Sequence, residues 1–211
     1  MKLNADELIR RLTDSDQDSV GKIVNQVADA YRRGANLRDL IPLLEHSDPR
    51  IVSVAAWIAS EVIDGIRGHE LLDAIVPLLH HPDPTIRFGV IENIALLVRP
   101  DQDSIIQSLF MLAADPNPGV RQQALYWLCR IPNSLVAPLR DTAMWPSACL
   151  LVEDVSKNQI REALRSESLF DQRMAVAGAL RNFGNDEDFV REILPLFDQE
   201  VAASLPRLRM T

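Results

Sequence analysis

The strongest constraint on this chain is a helical-hairpin pattern written three times between Leu40 and Pro132. Its marker is a polar residue followed by proline: Asp48-Pro49, Asp83-Pro84 and Asn117-Pro118. The prolines recur at 84 − 49 = 35 and 118 − 84 = 34, which is a repeat period. Proline in a helix's first turn loses only a hydrogen bond that the helix lacks there, and the Asp or Asn before it caps the free N–H groups. Each marker therefore predicts a helix start. Behind the markers stand Ile51, Ala55 and Ala59, then Ile86, Val90 and Ile94, then Val120, Ala124 and Leu128, each set one apolar helix face. Before each marker lies a second apolar run, in Leu40 to Leu44, Ile75 to Leu79 and Ser108 to Leu112, which predicts the first helix of each hairpin. Pro42 and Pro77, again 35 apart, fall inside these first helices, and a bend is expected at each.

Outside the regular repeats, at about 35–132, the pattern wears down. Residues 4–34 read as a terminal cap repeat: Asn4 and Glu7 form a capping box, and Leu8, Ile9 and Leu12 give a short first helix its inward stripe. A second helix is expected over about 16–33, with Val20, Val24 and Val27 in the register of Ala55, Ala59 and Val62, Asp14 where the proline is missing, and Gly34 closing it. Residues 133–155, interrupted by Pro138 and Pro146, read as an irregular insertion of short helical pieces. C-terminal repeats over 156–205 follow. In them Phe170 to Arg173 with Val176 and Leu180 copies Pro118 to Arg121 with Ala124 and Leu128, at 173 − 121 = 52. Ser156 to Ser166 would be the first helix of that copy, a last helix runs from about Asp186 to Phe197, and the tail Ser204 to Thr211 is expected to be loosely ordered. Because each repeat need only bury itself against its neighbours, one domain over 1–211 is expected.

The form Asp-Pro-x-(Ile/Val)-Arg-x-x-(Ala/Val), in Asp83 to Val90 and more loosely in Asn117 to Ala124, resembles the HEAT and HEAT-like, armadillo-type repeat family. The resemblance implies an all-α, right-handed solenoid of about five helical hairpins whose second helices line the concave face. It also implies a structural ladder of arginines, Arg87, Arg121 and Arg173, pairing with acids or loop carbonyls, with Val52 interrupting it in the first clear copy.

Composition narrows function. The 211 residues are 47% hydrophobic, yet no apolar run approaches the roughly 18 residues that cross a bilayer, so no membrane contact is expected. Acids at the N-terminus where a secretory signal would be apolar point to a cytoplasmic protein. A net charge of −8 disfavours nucleic acid and suits a basic protein partner. Cys129 and Cys149 lie in apolar helical patterns and read as buried free thiols. The eight glycines form no phosphate-binding fingerprint. Among His46, His69, His80 and His81, two are register-equivalent, His46 and His81; imidazoles hydrogen-bonding free carbonyls at helix ends are expected, not a metal site. His69-Glu70 resembles one of the several His-Glu pairs of the iron-holding HEAT-like hydroxylases, but it stands alone. HEAT-like bilin lyases and alkylpurine DNA glycosylases share the implied fold; no residue here marks a lyase, and the glycosylases need a cationic concave face. No catalytic residue, cofactor or metal is expected.

The surface is the remaining candidate. At 100° per residue Trp57 lies about 200° from Ala55, away from the core stripe. Its register mates are Glu92 and Tyr126, and the same outward stripe takes Phe88 one turn earlier and Glu61, Leu96 and Arg130 one turn later. Trp57, Phe88, Leu96 and Tyr126 are large apolar groups where water is expected, the composition of an interface hot spot, with Glu61, Glu92 and Asp64 adding acidity. The alternative is that these rings pack between neighbouring repeats. Trp145, beside Pro146 in the insertion, is a second candidate contact, or else a plug for the broken repeat. A scaffold or adaptor that binds a protein partner is the expected class. A toxin-neutralising immunity protein or inhibitor acting by occlusion is one alternative, by analogy with small acidic proteins of that kind, and a HEAT-like enzyme or enzyme subunit of the bilin-lyase or DNA-glycosylase kind is the other.

Overall fold

A computed structural model describes residues 5–14, 17–63 and 68–197, with backbone alone for Ala5, Gln17, Asp18 and Ser19. Asn4 of the expected capping box, Asp64 and the tail Ser204 to Thr211 lie outside the described residues. Every element among those described is helical. The α-helices are α1 (Ala5–Asp14), α2 (Gln17–Arg32), α3 (Ile41–Leu44), α4 (Pro49–Val62), α5 (Leu72–Ile75), α6 (Pro84–Leu97), α7 (Asp103–Met111), α8 (Pro118–Leu128), α9 (Asn133–Val136), α10 (Trp145–Ala148), α11 (Lys157–Ala163), α12 (Leu169–Phe183) and α13 (Glu187–Ile193). The chain divides after Val98 into two compact units. No described helix is long and apolar enough to cross a membrane.

In the first unit α4 packs between α2 and α6, and α3 packs on α4 as the 3-10 helix Val76–His80 packs on α6. The expected inward faces are buried: Val24 and Val27 on α2, Ile51, Ala55 and Ala59 on α4, and Ile86, Val90 and Ile94 on α6. Gly34, at φ 98°, ends the chain's run through α2 in a left-handed turn that only glycine enters freely.

The first helices do not bend at their prolines as expected; they restart there. Leu37–Leu40 is a 3-10 helix and Pro42 lies in the first turn of α3, while Pro77 lies in the first turn of the 3-10 helix that follows α5. A segment that restarts at proline needs no N–H from it, so the missing donor costs nothing. Pro138, Pro146 and Pro195 sit in the same place in Ala137–Asp141, α10 and Leu194–Leu196 of the second unit.

One turn is built four times ahead of the long second helices. The caps Asp48, Asp83, Asn117 and Ser168 each accept a backbone N–H from the first turn of α4, α6, α8 and α12. The N–H of each cap donates in turn to a side chain two residues back: His46 Nδ1 and His81 Nδ1 at 3.0 Å, Asp115 Oδ1 at 2.8 Å and Ser166 Oγ at 3.1 Å. These imidazoles are acceptors of N–H groups, not donors to carbonyls as expected.

Four residues after the cap, Arg87 donates to the carbonyls of His81 and Pro82 at 2.7 and 3.0 Å, and Arg121 donates to those of Asp115 and Pro116 at 2.6 and 2.9 Å. In α12 that place belongs to Gln172, whose Nε2 donates to the Ser166 carbonyl at 2.6 Å. Arg173 instead reaches the Ala113 carbonyl at 3.1 Å. The copies are therefore 168 − 117 = 51 apart, one less than expected, and Ala175, Val176 and Ala179 are the buried face while Leu180 is only partly covered.

In the second unit α12 packs on α8, α10, α11 and the 3-10 helix Cys149–Leu151. Gly178 makes that approach possible, since a Cβ there would lie 2.1 Å from the Leu150 carbonyl oxygen. The expected insertion is present as α9, Ala137–Asp141, α10 and Cys149–Leu151. Both cysteines are free; burial pushes the Cys129 thiol up to about 12, and the Cys149 thiol donates to the Pro146 carbonyl at 3.1 Å.

Candidate docking face

In the first unit the exposed large apolar side chains of the expected outward stripe belong to α4 and α6. Gly89 of α6 faces Ala56 of α4 with room for a methyl group, the distance from a Cβ built on Gly89 to the Ala56 methyl being 3.9 Å. Asn93, fully buried between them, donates to the Ala56 carbonyl of α4 at 3.1 Å and to the Gly89 carbonyl of its own helix at 3.4 Å. This cross-link between neighbouring helices was not read from the sequence; a polar residue amid Ile91, Ile94 and Leu97 was its one visible sign.

Trp57 of α4 is 46% exposed, and Phe88 and Leu96 of α6 are 44% and 47% exposed. Ile58 and Leu97, next to Trp57 and Leu96 in the chain, and Ile91 on α6 are buried, so the same two helices present a packed face and a partly uncovered apolar one. A groove of about 910 Å3 runs beside Trp57, lined by Leu12 and Thr13 of α1, Val20 and Gly21 of α2, Ile51, Ser53 and Val54 of α4, and the caps Asp48 and Asp83 with Arg50 and Thr85.

The charges on this face are unequally committed. Arg50 holds Asp48 through both carboxylate oxygens, at 3.2 and 2.7 Å, and that contact lowers the Asp48 pKa. Glu61 is gripped by Arg32 of α2 at 2.8 Å, and Arg32 also binds Asp29 at 3.0 Å. Glu61 therefore closes the α2–α4 seam before any partner arrives, which the sequence reading of it as a contact residue missed. Glu92 is exposed, one turn from Phe88 on one side and from Leu96 on the other. Asp83 accepts the Thr85 N–H at 2.8 Å.

Tyr126, Arg130 and Trp145 belong to the second unit. Tyr126 is half-buried, and the exposed Arg130 stacks its guanidinium 3.9 Å from the ring while donating to the Tyr126 carbonyl at 2.8 Å. Trp145 is half-buried beneath Arg140, 5.4 Å away, and Phe110 meets Trp127 edge-on at 6.2 Å. These rings already have cation or aromatic partners, unlike the trio of the first unit. Arg181, also unforeseen, donates to the Ile131 carbonyl and to Asn133 Oδ1, pinning α12 to the loop that follows α8. Its spacing of eight from Arg173 puts both on one helix face, a signal the sequence did carry.

Among the described residues no three His, Cys, Asp or Glu side chains converge as a metal site. Glu70 of the single His-Glu pair is held by Arg38 at 3.1 Å. Asp171 accepts from Ser147 and Ser166, a hydrogen-bonded corner at the start of α12.

No family model matches the chain. No curated protein matches it either. Among solved structures, the chain is similar to an engineered protein at 15% identity, covering 97% of this chain and 94% of that one with a TM-score of 0.49, a likeness too slight to assign a family.

Proposed function

We propose that this chain is a HEAT-like repeat protein that binds another protein and performs no chemistry, with the outward face of α4 and α6 as its docking surface. The hairpins then stack as a right-handed solenoid, with the second helices as the inner wall. The observation that carries the reading is the exposure of Trp57, Phe88 and Leu96 on two adjacent helices whose other faces are fully packed. Fully burying one such side chain contributes about 1.5–3 kcal/mol, so leaving three about half exposed on one face forgoes part of that stabilisation, which a partner would recover. The four-fold turn that aims α4, α6, α8 and α12 supports the repeat assignment.

The test is affinity capture from the source cell with the wild-type chain and with W57A/F88A in parallel, each checked by thermal melting. The reading requires a protein retained by the wild type and lost by the folded variant. Retention by both, or a specific small-molecule product formed by the purified chain, would count against it.

A further inference from the structure

We propose that the groove beside Trp57 takes a basic, leucine-rich segment of the partner, seating an apolar side chain in the groove and a lysine or arginine against Glu92 and Asp83. This rests on the docking reading above and adds the occupant's chemistry to it. Leu12, Val20, Ile51, Val54 and Trp57 give the groove an apolar lining beside its polar residues, and its volume of about 910 Å3 admits several aliphatic side chains.

The sign of the charge follows from which groups are already paired. Arg50 spends its guanidinium on Asp48, and Arg32 divides its own between Asp29 and Glu61. Among the described residues no cation reaches the carboxylate of Asp83 or of Glu92. Asp83 lines the groove itself, while Glu92 stands exposed on α6 beyond the groove lining. Glu92 stands between Phe88 and Leu96, where a lysine stem can lie along the apolar stripe while its ammonium meets the carboxylate. An acidic segment would bring its carboxylates to two that have no counter-ion, and like charges brought together at an interface are strongly disfavoured.

The probes are two 14-residue amphipathic peptides of the same leucine spacing, one with lysines on its polar face and one with glutamates, titrated into the full chain by calorimetry. The lysine peptide should bind at least about tenfold tighter than the glutamate peptide. W57A should abolish that binding and E92K should reverse the preference, with both variants melting near the wild type. Equal binding of the two peptides, lost in W57A, would overturn the basic occupant and leave the docking face standing. Lysine-peptide binding unchanged in W57A would be attraction to the chain's overall negative charge and would overturn both. A failure of either variant to fold is bypassed by W57F, which keeps the ring's packing yet shortens it and should weaken the lysine peptide several-fold.

Discussion

Arg87 and Arg121 do the same work at the scale of one residue: each closes the loop ahead of its own helix on two carbonyls. Replacing Arg121 by Met should cost roughly 1.5–3 kcal/mol, the range for hydrogen bonds from a charged donor, read as a lower urea midpoint. These two arginines were legible because a proline fixes their distance from the cap. Arg173 was misplaced by one because Ser168-Leu169 replaces the polar-proline marker, and without proline a one-residue slip leaves the helical pattern almost unchanged. Two glycines give a paired test of packing. Gly178→Ala forces a Cβ against the Leu150 carbonyl and should cost about 2 kcal/mol or more, whereas Gly89→Ala meets open van der Waals distance and should stabilise by about 0.5–1 kcal/mol through helix propensity. Thermal melts of the two variants should move in opposite directions.

At the scale of elements, the second helices were predictable and the first helices only in outline. A polar-proline marker with three or four spaced apolar residues defines a long helix from local information alone. The first helices are short, are restarted by Pro42, Pro77, Pro138 and Pro195, and owe their form to packing on the second helices, which the sequence does not display. Elements are also where pH acts. Lys157 binds Asp186, and Arg161 binds Glu192 through two oxygens, tying α11 to α13 and lowering both carboxylate pKa values. Groups depressed in the folded state contribute stability that is fully present above the ordinary carboxylate range near 4 and is lost as pH falls through their folded values. Amide exchange in α13 should therefore quicken, relative to α12, as pH drops from about 5 to 3 after correction for intrinsic rates. E192Q should flatten that dependence, and an unaltered pH profile would remove the pair from the account.

At the scale of the whole molecule the excess of acids would set how a partner of the proposed kind arrives. With a net charge of −8, association with a basic protein should slow as salt rises while dissociation changes little. Stopped-flow mixing at about 50 and 500 mM salt reads this directly, and an on-rate indifferent to salt would exclude electrostatic steering. The composition announced that charge, and the repeat period announced which helix faces would look outward. It did not announce which outward groups were spoken for: Glu61 by Arg32, Tyr126 by Arg130 and Trp145 by Arg140, all contacts between side chains whose meeting depends on the fold. The most direct measurement compares the urea midpoints of W57A/F88A and of I58A, Trp57 and Ile58 being adjacent on α4 with exposures of 46% and 0% and Phe88 on α6 being 44% exposed. The account predicts a loss of about 2–5 kcal/mol for I58A and less than about 1 kcal/mol for W57A/F88A; a double variant as destabilised as I58A would show that Trp57 and Phe88 hold the fold together and offer nothing to a partner.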